Sequence, residues 1–498
     1  MLKEHEIPYA LYRAEQVRAL DKLAIEGHGI PGYTLMVRAG EAAFGLLRET
    51  WPDARRILVL CGGGNNAGDG FVVGRFAMVM GLEPRLALLG DEQRFSADAH
   101  RAMNEYIAAG GHMEPWNTSL LQGADVIVDA LLGTGLQRPL EGRWKDVVDA
   151  VNASPSPVLS IDIPSGLQAD TGVVLGAAIR ATHSISFIGL KQGMFTAEGP
   201  EHSGQIHFSD LGVSPKVYAS QILAAQRLSV HKTGHLLGRR DRSGHKGRYG
   251  HVLVVGGDRG YSGAARLCGE AAARSGAGLV SVATHPDHAA LINMSRPELM
   301  CRGIRQGVEL FALLSRASTL AVGPGLGRGD WGRILWMKAM ASDKPMVLDA
   351  DGLNFLAEMP LQRDDWVLTP HPGEAARLLN CSSAEVQADR FQAVREIQRR
   401  YGGVVVLKGP GTLVESNGRA VGVCNAGNPG MASGGMGDVL TGIIAGLLAQ
   451  GLDAVDAART GVCVHAAAGD LAAATGGERG LLASDLFEPI RRLVNPDV

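Results

Sequence analysis

Short apolar runs of strand length recur along the chain, and nearly every one ends in glycine and polar residues. Ile57-Leu58-Val59-Leu60-Cys61 is apolar throughout, as in a strand buried on both faces of a parallel sheet. Gly62-Gly63-Gly64-Asn65-Asn66-Ala67-Gly68-Asp69-Gly70 reads as the loop after it, and residues 71 to about 80 as a helix. Strand, glycine-rich loop and helix make the first unit of a Rossmann-like sheet, with the loop at the strand's carboxyl end, where ligands bind. Residues 85–89, 124–130 and 157–163 are the next predicted strands, and sheet-like material continues through 183–188 and 205–208. Ahead of them, 11–26 and 31–49 read as two helices, with Pro31 just inside the start of the second.

A second series begins at His251-Val252-Leu253-Val254-Val255, followed by Gly256-Gly257-Asp258 and an alanine-rich helix over 262–275. Strands are predicted at 279–283, 320–322, 346–348, 366–368 and 404–407. Their exits are rich in glycine and polar groups, including Gly323-Pro324-Gly325-Leu326-Gly327, Asp349-Ala350-Asp351 and Lys408-Gly409-Pro410-Gly411-Thr412. Six such strands describe a doubly wound α/β sheet with a crowded rim. The domain boundary is placed near 225–235, giving domains 1–228 and 229–498. Just beyond it, Gly238-Arg239-Arg240-Asp241-Arg242-Ser243-Gly244-His245-Lys246-Gly247 is most simply a solvated basic loop; the alternative is that it covers an anionic ligand.

The 498 residues suit two or three domains, each able to bury a core. A formal charge of -3 gives no footprint for nucleic acid or an anionic membrane. Six scattered cysteines without CxxC spacing point to reduced thiols in a cytoplasmic protein. Lys3, Glu4 and Glu6 precede no apolar segment, so the start does not read as a signal peptide. The longest apolar run, 439–452, is broken by glycines and too short to span a bilayer.

The most chemically loaded stretch is NPGMASGGMGDVLTG, residues 428–442. Glycines there let consecutive amides face one point, and a helix start adds its dipole, so the stretch suits anionic oxygens. Asp438 at its lip suggests a group that handles a hydroxyl or water reacting with a phosphate, the plainer alternative being an ordinary first-turn aspartate. In the N-terminal half the loop 62–70 lacks G-x-G-x-x-G spacing and carries Asn65, Asn66 and Asp69 instead. Asp129 and Asp162 lie at or near strand ends, so Asn66, Asp129, Asp162 and Ser165 are candidates to meet in one crevice. Oxygen-only donors of this kind suit K⁺ or Mg²⁺, not zinc. No Walker A loop occurs anywhere.

The series GPGLG, DADGLN, TPHPGE, LKGPGT and NPGMASGGMGD resembles the ribokinase-like NAD(P)H-hydrate dehydratases. CGGGNNAGDG, DALLGTGL and DIPSGL resemble the NAD(P)H-hydrate epimerases, and the tandem resembles the bacterial bifunctional NAD(P)H-hydrate repair enzymes over essentially the whole chain. The resemblance implies metabolite repair. An N-terminal Rossmann-like domain would interconvert R and S hydrates, and a C-terminal ribokinase-like domain would dehydrate the S form, using ADP in bacterial members and ATP in eukaryotic ones.

Carried onto this sequence, the epimerase pocket would use Asn65, Asn66, Ala67, Gly68 and Asp69, with Gly133, Thr134, Gly135, Leu136, Gln137, Arg138 and Pro139. Asp162 would act on the reacting ring, and Asn66, Asp129 and Ser165 would hold K⁺. In the dehydratase, Ala264, Gly325 and His371 would contact the hydrate, and Lys408, Gly409, Pro410, Gly411, Thr412 and Gly437 the adenine nucleotide. The amides of Gly435, Met436 and Gly437 would stabilise the transferring phosphoryl group, Asp438 would deprotonate the hydrate's hydroxyl, and Glu374 is a candidate to help hold Mg²⁺. The resemblance implies no nucleic-acid or membrane partner; the fold family often assembles, so a homo-oligomer is expected. The rival reading is a small vitamin or sugar kinase with an N-terminal ligand-binding module. Sugar kinases of this fold carry a Thr-Gly-Ala-Gly-Asp run where this chain has Ser433-Gly434-Gly435-Met436-Gly437-Asp438, which favours the repair enzymes. A non-catalytic scaffold is disfavoured by the acids that end so many strands.

Overall fold

The structure, a computed structural model, describes residues 7–294 and 296–495, so Lys3, Glu4 and Glu6 lie outside the described residues. The chain divides into two units, Met1–Gln226 and Arg227–Val498. No helix among the described residues is long and apolar enough to cross a membrane.

The main sheet of the N-terminal unit has seven parallel strands: β1 (Arg56–Cys61), β2 (Glu83–Leu88), β3 (Met113–Pro115), β4 (Val126–Ala130), β5 (Val158–Ile161), β6 (His183–Phe187) and β7 (Gln205–Ser209). Their spatial order is 3-2-1-4-5-6-7. The order reverses between β1 and β4, so their carboxyl-end loops part there and leave a crevice. The apolar runs of the central strands β1, β4 and β5 are buried in this sheet, as continuous Val/Ile/Leu strands covered on both faces should be, while β2 and β7 are only partly so.

Three local expectations are corrected. The predicted helix 11–26 begins only at α1 (Ala14–Lys22), because Ala10–Tyr12 is a strand pairing with Leu190–Lys191. Pro31 caps α2 (Gly32–Thr50) from outside instead of occupying its first turn. The nine-residue loop shrinks to Gly62-Gly63-Gly64, since α3 spans Asn65–Val79. The turn is tight because β1 and β4 exit side by side: a Cβ on Gly62 would sit 1.7 Å from the Leu131 carbonyl oxygen.

The C-terminal unit carries β8 (His251–Val255), β9 (Leu279–Thr284), β10 (Met300–Gly303), β11 (Thr319–Val322), β12 (Met346–Leu348), β13 (Trp366–Leu368), β14 (Val404–Leu407), β15 (Thr412–Ser416) and β16 (Val421–Cys424). Their order is 10-9-8-11-12-13-14-15-16, parallel as far as β14 and antiparallel through β15 and β16. The six predicted strands are present. The edge strand β10 and the final hairpin are additions, and Thr412, expected in a loop, opens β15. The switch point here lies between β8 and β11, where Gly257 N donates to Pro324 O (3.0 Å) and Asp258 N to Gly325 O (2.7 Å).

Helix α4 (Ser262–Arg274) packs on α6 (Met436–Ala449) through glycine. A Cβ on Gly442 would lie 2.1 Å from the Cys268 carbonyl oxygen, so no larger residue lets the two backbones meet. Glycine inside a helix costs about 1 kcal/mol relative to alanine. The close approach it permits fixes α6, and with it Asp438, over the sheet.

Candidate active sites

In the N-terminal unit a cavity of about 1080 Å³ opens at the switch point. Asn65, Asn66, Asp69, the whole segment from Gly133 to Pro139 and Asp162 line it. Ala67 and Gly68 do not: Ala67 is fully buried, and a Cβ on Gly68 would meet Met36 at 2.5 Å. Gly133 sits between the two chemical groups, since a Cβ there would lie 3.9 Å from both Asn66 Cγ and Asp162 Oδ2.

Asp162 leaves β5 with φ 70°, a left-handed conformation that strains a residue bearing Cβ. The twist delivers its carboxylate to Lys191, whose side chain is fully buried. Lys191 Nζ donates to Asp162 Oδ1, to Ser186 Oγ (3.0 Å) and to Phe187 O (3.4 Å). Two further carboxylates face this pair. Burial first, and then the charge of Asp162, pushes Asp21 up to about 6 and holds Asp69 well above the usual carboxylate range. Three carboxylates thus share one lysine. Asp21 and Lys191 escape a motif search. The available signal was a lone lysine inside the apolar segment 184–195.

Asp129 and Ser165 meet beside this cavity. Asp129 is wholly buried and accepts from Ser165 Oγ (2.6 Å), Ser165 N (2.9 Å), Ser160 Oγ (2.8 Å) and Leu131 N (3.3 Å). Burial raises its pKa against those hydrogen bonds. Asn66 donates to the carbonyl of Ile161 at 3.3 Å, at the end of the strand next to that of Asp129. No basic side chain pairs with Asp129 among the described residues. One buried negative charge among hydroxyl, amide and carbonyl oxygens fits a hard monovalent cation.

In the C-terminal unit, α6 starts with Gly435 at φ 93° as its cap and puts Asp438 in its first turn. A Cβ on Gly437 would lie 3.1 Å from Lys408 Nζ and 3.6 Å from Asp349 Oδ2, so α6 begins directly over the β12 and β14 exits. Lys408 Nζ donates to Asp349 Oδ1 (2.7 Å) and lies 3.8 Å from Glu374 Oε2. Thr441 Oγ1 donates to Asp349 Oδ2 (2.8 Å). Asp438 itself accepts no side-chain or capping hydrogen bond among the described residues. Burial, and then the charge of Asp349, pushes it up to about 7. Burial raises Glu374 likewise, against Lys408.

Ala264 and Gly325 are in contact: a Cβ on Gly325 would sit 3.1 Å from that of Ala264. Tyr261, largely exposed at 61 %, packs against the same glycine. His371 is half exposed and caps helix α5 (Pro372–Leu379), its Nδ1 accepting from Gly373 N (2.9 Å) while His371 N donates to Glu374 Oε2 (2.8 Å). In the Lys408–Thr412 turn, Thr412 Oγ1 donates to Gly409 O (2.9 Å). Beneath it the fully buried Arg390 donates to the carbonyls of Leu407 (3.2 Å) and Lys408 (3.3 Å), and burial lowers its pKa to about 10. Asp349, Thr441 and Arg390 were given no role from the sequence. Asp349 and Arg390 reach the site from elements distant in the chain, whereas Thr441 sits one turn beyond Asp438 on the same helix.

The family model described as NAD(P)H-hydrate dehydratase matches residues 252–492, and that described as YjeF-related protein N-terminus matches residues 32–193. The chain is 48% identical over 486 residues to the bifunctional NAD(P)H-hydrate repair enzyme Nnr of Coxiella burnetii, covering 98% of this chain and 99% of that one. It is 45% identical over 492 residues to the protein of the same name from Escherichia coli K12, covering 99% and 95%. Among solved structures, a ribokinase-like superfamily protein from Enterococcus faecalis V583 matches with TM-score 0.52 and 26% identity, covering 55% of this chain and 97% of that one.

Proposed function

The chain belongs to the bifunctional NAD(P)H-hydrate repair enzymes, and on that premise we propose a role for each site. The N-terminal unit interconverts the R and S hydrates of NADH and NADPH. The C-terminal unit removes water from the S form, converting ADP to AMP and phosphate. The comparisons favour this over the small-molecule kinase.

In the epimerase cavity, the hydrate's reacting carbon bears a hydroxyl and the ring nitrogen. Inverting it requires a proton delivered and a proton removed, by ring opening or by loss of the hydroxyl. Asp162, oriented by Lys191, exchanges that proton, and the segment from Gly133 to Pro139 with Asn65, Asn66 and Asp69 encloses the substrate. Asn66, Asp129 and Ser165 would hold K⁺, which supplies a fixed positive charge beside the pocket.

In the dehydratase, Asp438 takes the proton of the hydrate's hydroxyl, which attacks the β-phosphorus of ADP. The amides at the start of α6 and the Lys408 ammonium receive the charge spreading over the phosphoryl oxygens. AMP departs. The phosphorylated alcohol loses phosphate as the ring nitrogen's lone pair re-forms the dihydropyridine. Ala264, Gly325 and His371 border the hydrate, and the Lys408–Thr412 turn holds the nucleotide. Glu374 would share Mg²⁺ with the nucleotide's own phosphates, the ion offsetting phosphate charge. Cytoplasmic residence and homo-oligomeric assembly are part of the same proposal.

The reading rests on one arrangement: a carboxylate without a hydrogen-bonded partner among the described residues, in the first turn of a helix whose start overlies a largely buried lysine. Mixing S hydrate, ADP and Mg²⁺ with the protein should restore the reduced-nicotinamide absorbance with stoichiometric phosphate. A stable phosphorylated product with no regained absorbance would sink it.

A further inference from the structure

The basic run 238–247 takes no part in either site, yet it walls a second cavity of about 820 Å³. Five arginines line this cavity: Arg239, Arg240 and Arg248 from the run and its continuation, Arg274 from the end of α4, and Arg491 from α8 (Phe487–Leu493). Among the described residues Asp241 is the one carboxylate in its lining, and Arg248 engages it at 2.6 Å. Arg274 reaches Glu270 only at 4.0 Å, and Glu270 also holds Arg296.

The cavity has a fixed element. The Arg240 guanidinium lies 3.9 Å from the centroid of the Tyr249 ring. It donates to the Gly276 carbonyl and to Gln450 Oε1 (2.8 Å). Gln450 is itself anchored, its Nε2 donating to Ser275 O (2.9 Å) and Gly446 O (2.8 Å). Holding a guanidinium in advance lowers the ordering cost of binding an anion. Tyr249 and Gly276 precede β8 and β9, so the cavity lies at the amino ends of the parallel strands, on the rim opposite the catalytic loops. A strand of this length separates the two rims by roughly 15 Å.

Like charges gathered around a cavity repel one another unless an anion joins them. Guanidinium forks match phosphate oxygens in pairs. Even with Arg239 set aside, four arginines stand against one aspartate among the described residues, in a space far larger than one phosphate, which suits several linked phosphates. We propose that this cavity is a second, non-catalytic site for an oligophosphate, either free or carried by a nucleotide.

Inorganic tripolyphosphate, titrated calorimetrically into the full chain at physiological salt, tests this. One equivalent should bind. R274Q/R491Q should weaken binding at least tenfold while leaving dehydration turnover and thermal melting unchanged. R491Q alone, on an exposed position of α8, should weaken it several-fold and guards against a folding defect in the double variant. K408Q should leave binding intact. Competition by ATP in K408Q protein assigns the phosphates to a nucleotide, and its failure to compete assigns them to the free anion. No binding of tripolyphosphate to the unmodified chain overturns the proposal. Binding lost in K408Q but kept in R274Q/R491Q overturns it equally, because it then reports the catalytic site.

Discussion

Both units place three carboxylates around one lysine, fully buried in the N-terminal unit and largely buried in the C-terminal one, but they spend that lysine differently. In the N-terminal unit Lys191 bonds Asp162, the residue assigned to the chemistry, and Asp21 and Asp69 stand by. In the C-terminal unit Lys408 bonds Asp349, a supporting residue, and Asp438, in the first turn of a helix, has no hydrogen-bonded partner among the described residues. Left-handed backbone occurs at both sites: Asp162, Ile188 and Leu211 line the N-terminal cavity, and Ala350 stands beside Asp349 in the C-terminal site. A pocket that inverts a neutral stereocentre can fix its acid–base group tightly. One that passes a phosphoryl group needs its base free and its cation aimed at incoming phosphate.

The sharpest way to break this comparison is Asp438→Ala. Dehydration should fall roughly 10²–10⁴-fold while ADP still binds and the R-to-S exchange rate, followed chromatographically, stays unchanged. Loss of both activities would mean the sites do not act separately. Lys191→Met should do the reverse. It leaves buried carboxylates without their cation, so epimerisation should drop by about 10²-fold and denaturant unfolding should show a loss of roughly 3–5 kcal/mol, with S-hydrate turnover retained.

Smaller effects sharpen it. Exchange of K⁺ for a larger organic cation, or Asp129→Asn, should slow epimerisation about 10–100-fold and spare dehydration assayed on pure S hydrate. If Asp438 is the base proposed, with its pKa raised by burial to about 7, the dehydration rate should rise with pH and level off above that value. Asp349→Asn removes the charge that adds to the burial effect and should move the rise toward acid. The stability sign is opposite. A carboxyl raised in the folded state contributes stability that is complete below about pH 4 and lost as pH climbs through about 7, so Asp438→Asn should melt higher than the parent at pH 8. Least of all, Ala350→Gly should relieve the backbone at φ 48° and stabilise by about 1 kcal/mol in thermal melts, without changing turnover more than severalfold.

The alternation of apolar strands with glycine-rich exits revealed the central strands of both sheets, because burial on both faces leaves a continuous hydrophobic run that local composition alone shows; the edge strands β3 and β10 and the hairpin of β15 and β16 escaped it. Asp438 at a helix start and Asp129 near a strand end were legible for the same reason: both roles are set within a few residues. Lys191 reaches Asp162 across 29 positions and Lys408 reaches Asp349 across 59, and no local pattern encodes either pairing. Strand order decided those partners, by bringing exits of distant strands to one rim. Burial under the packed helices then decided which carboxyls keep a proton, since desolvation depends on everything around a group and not on its neighbours in sequence.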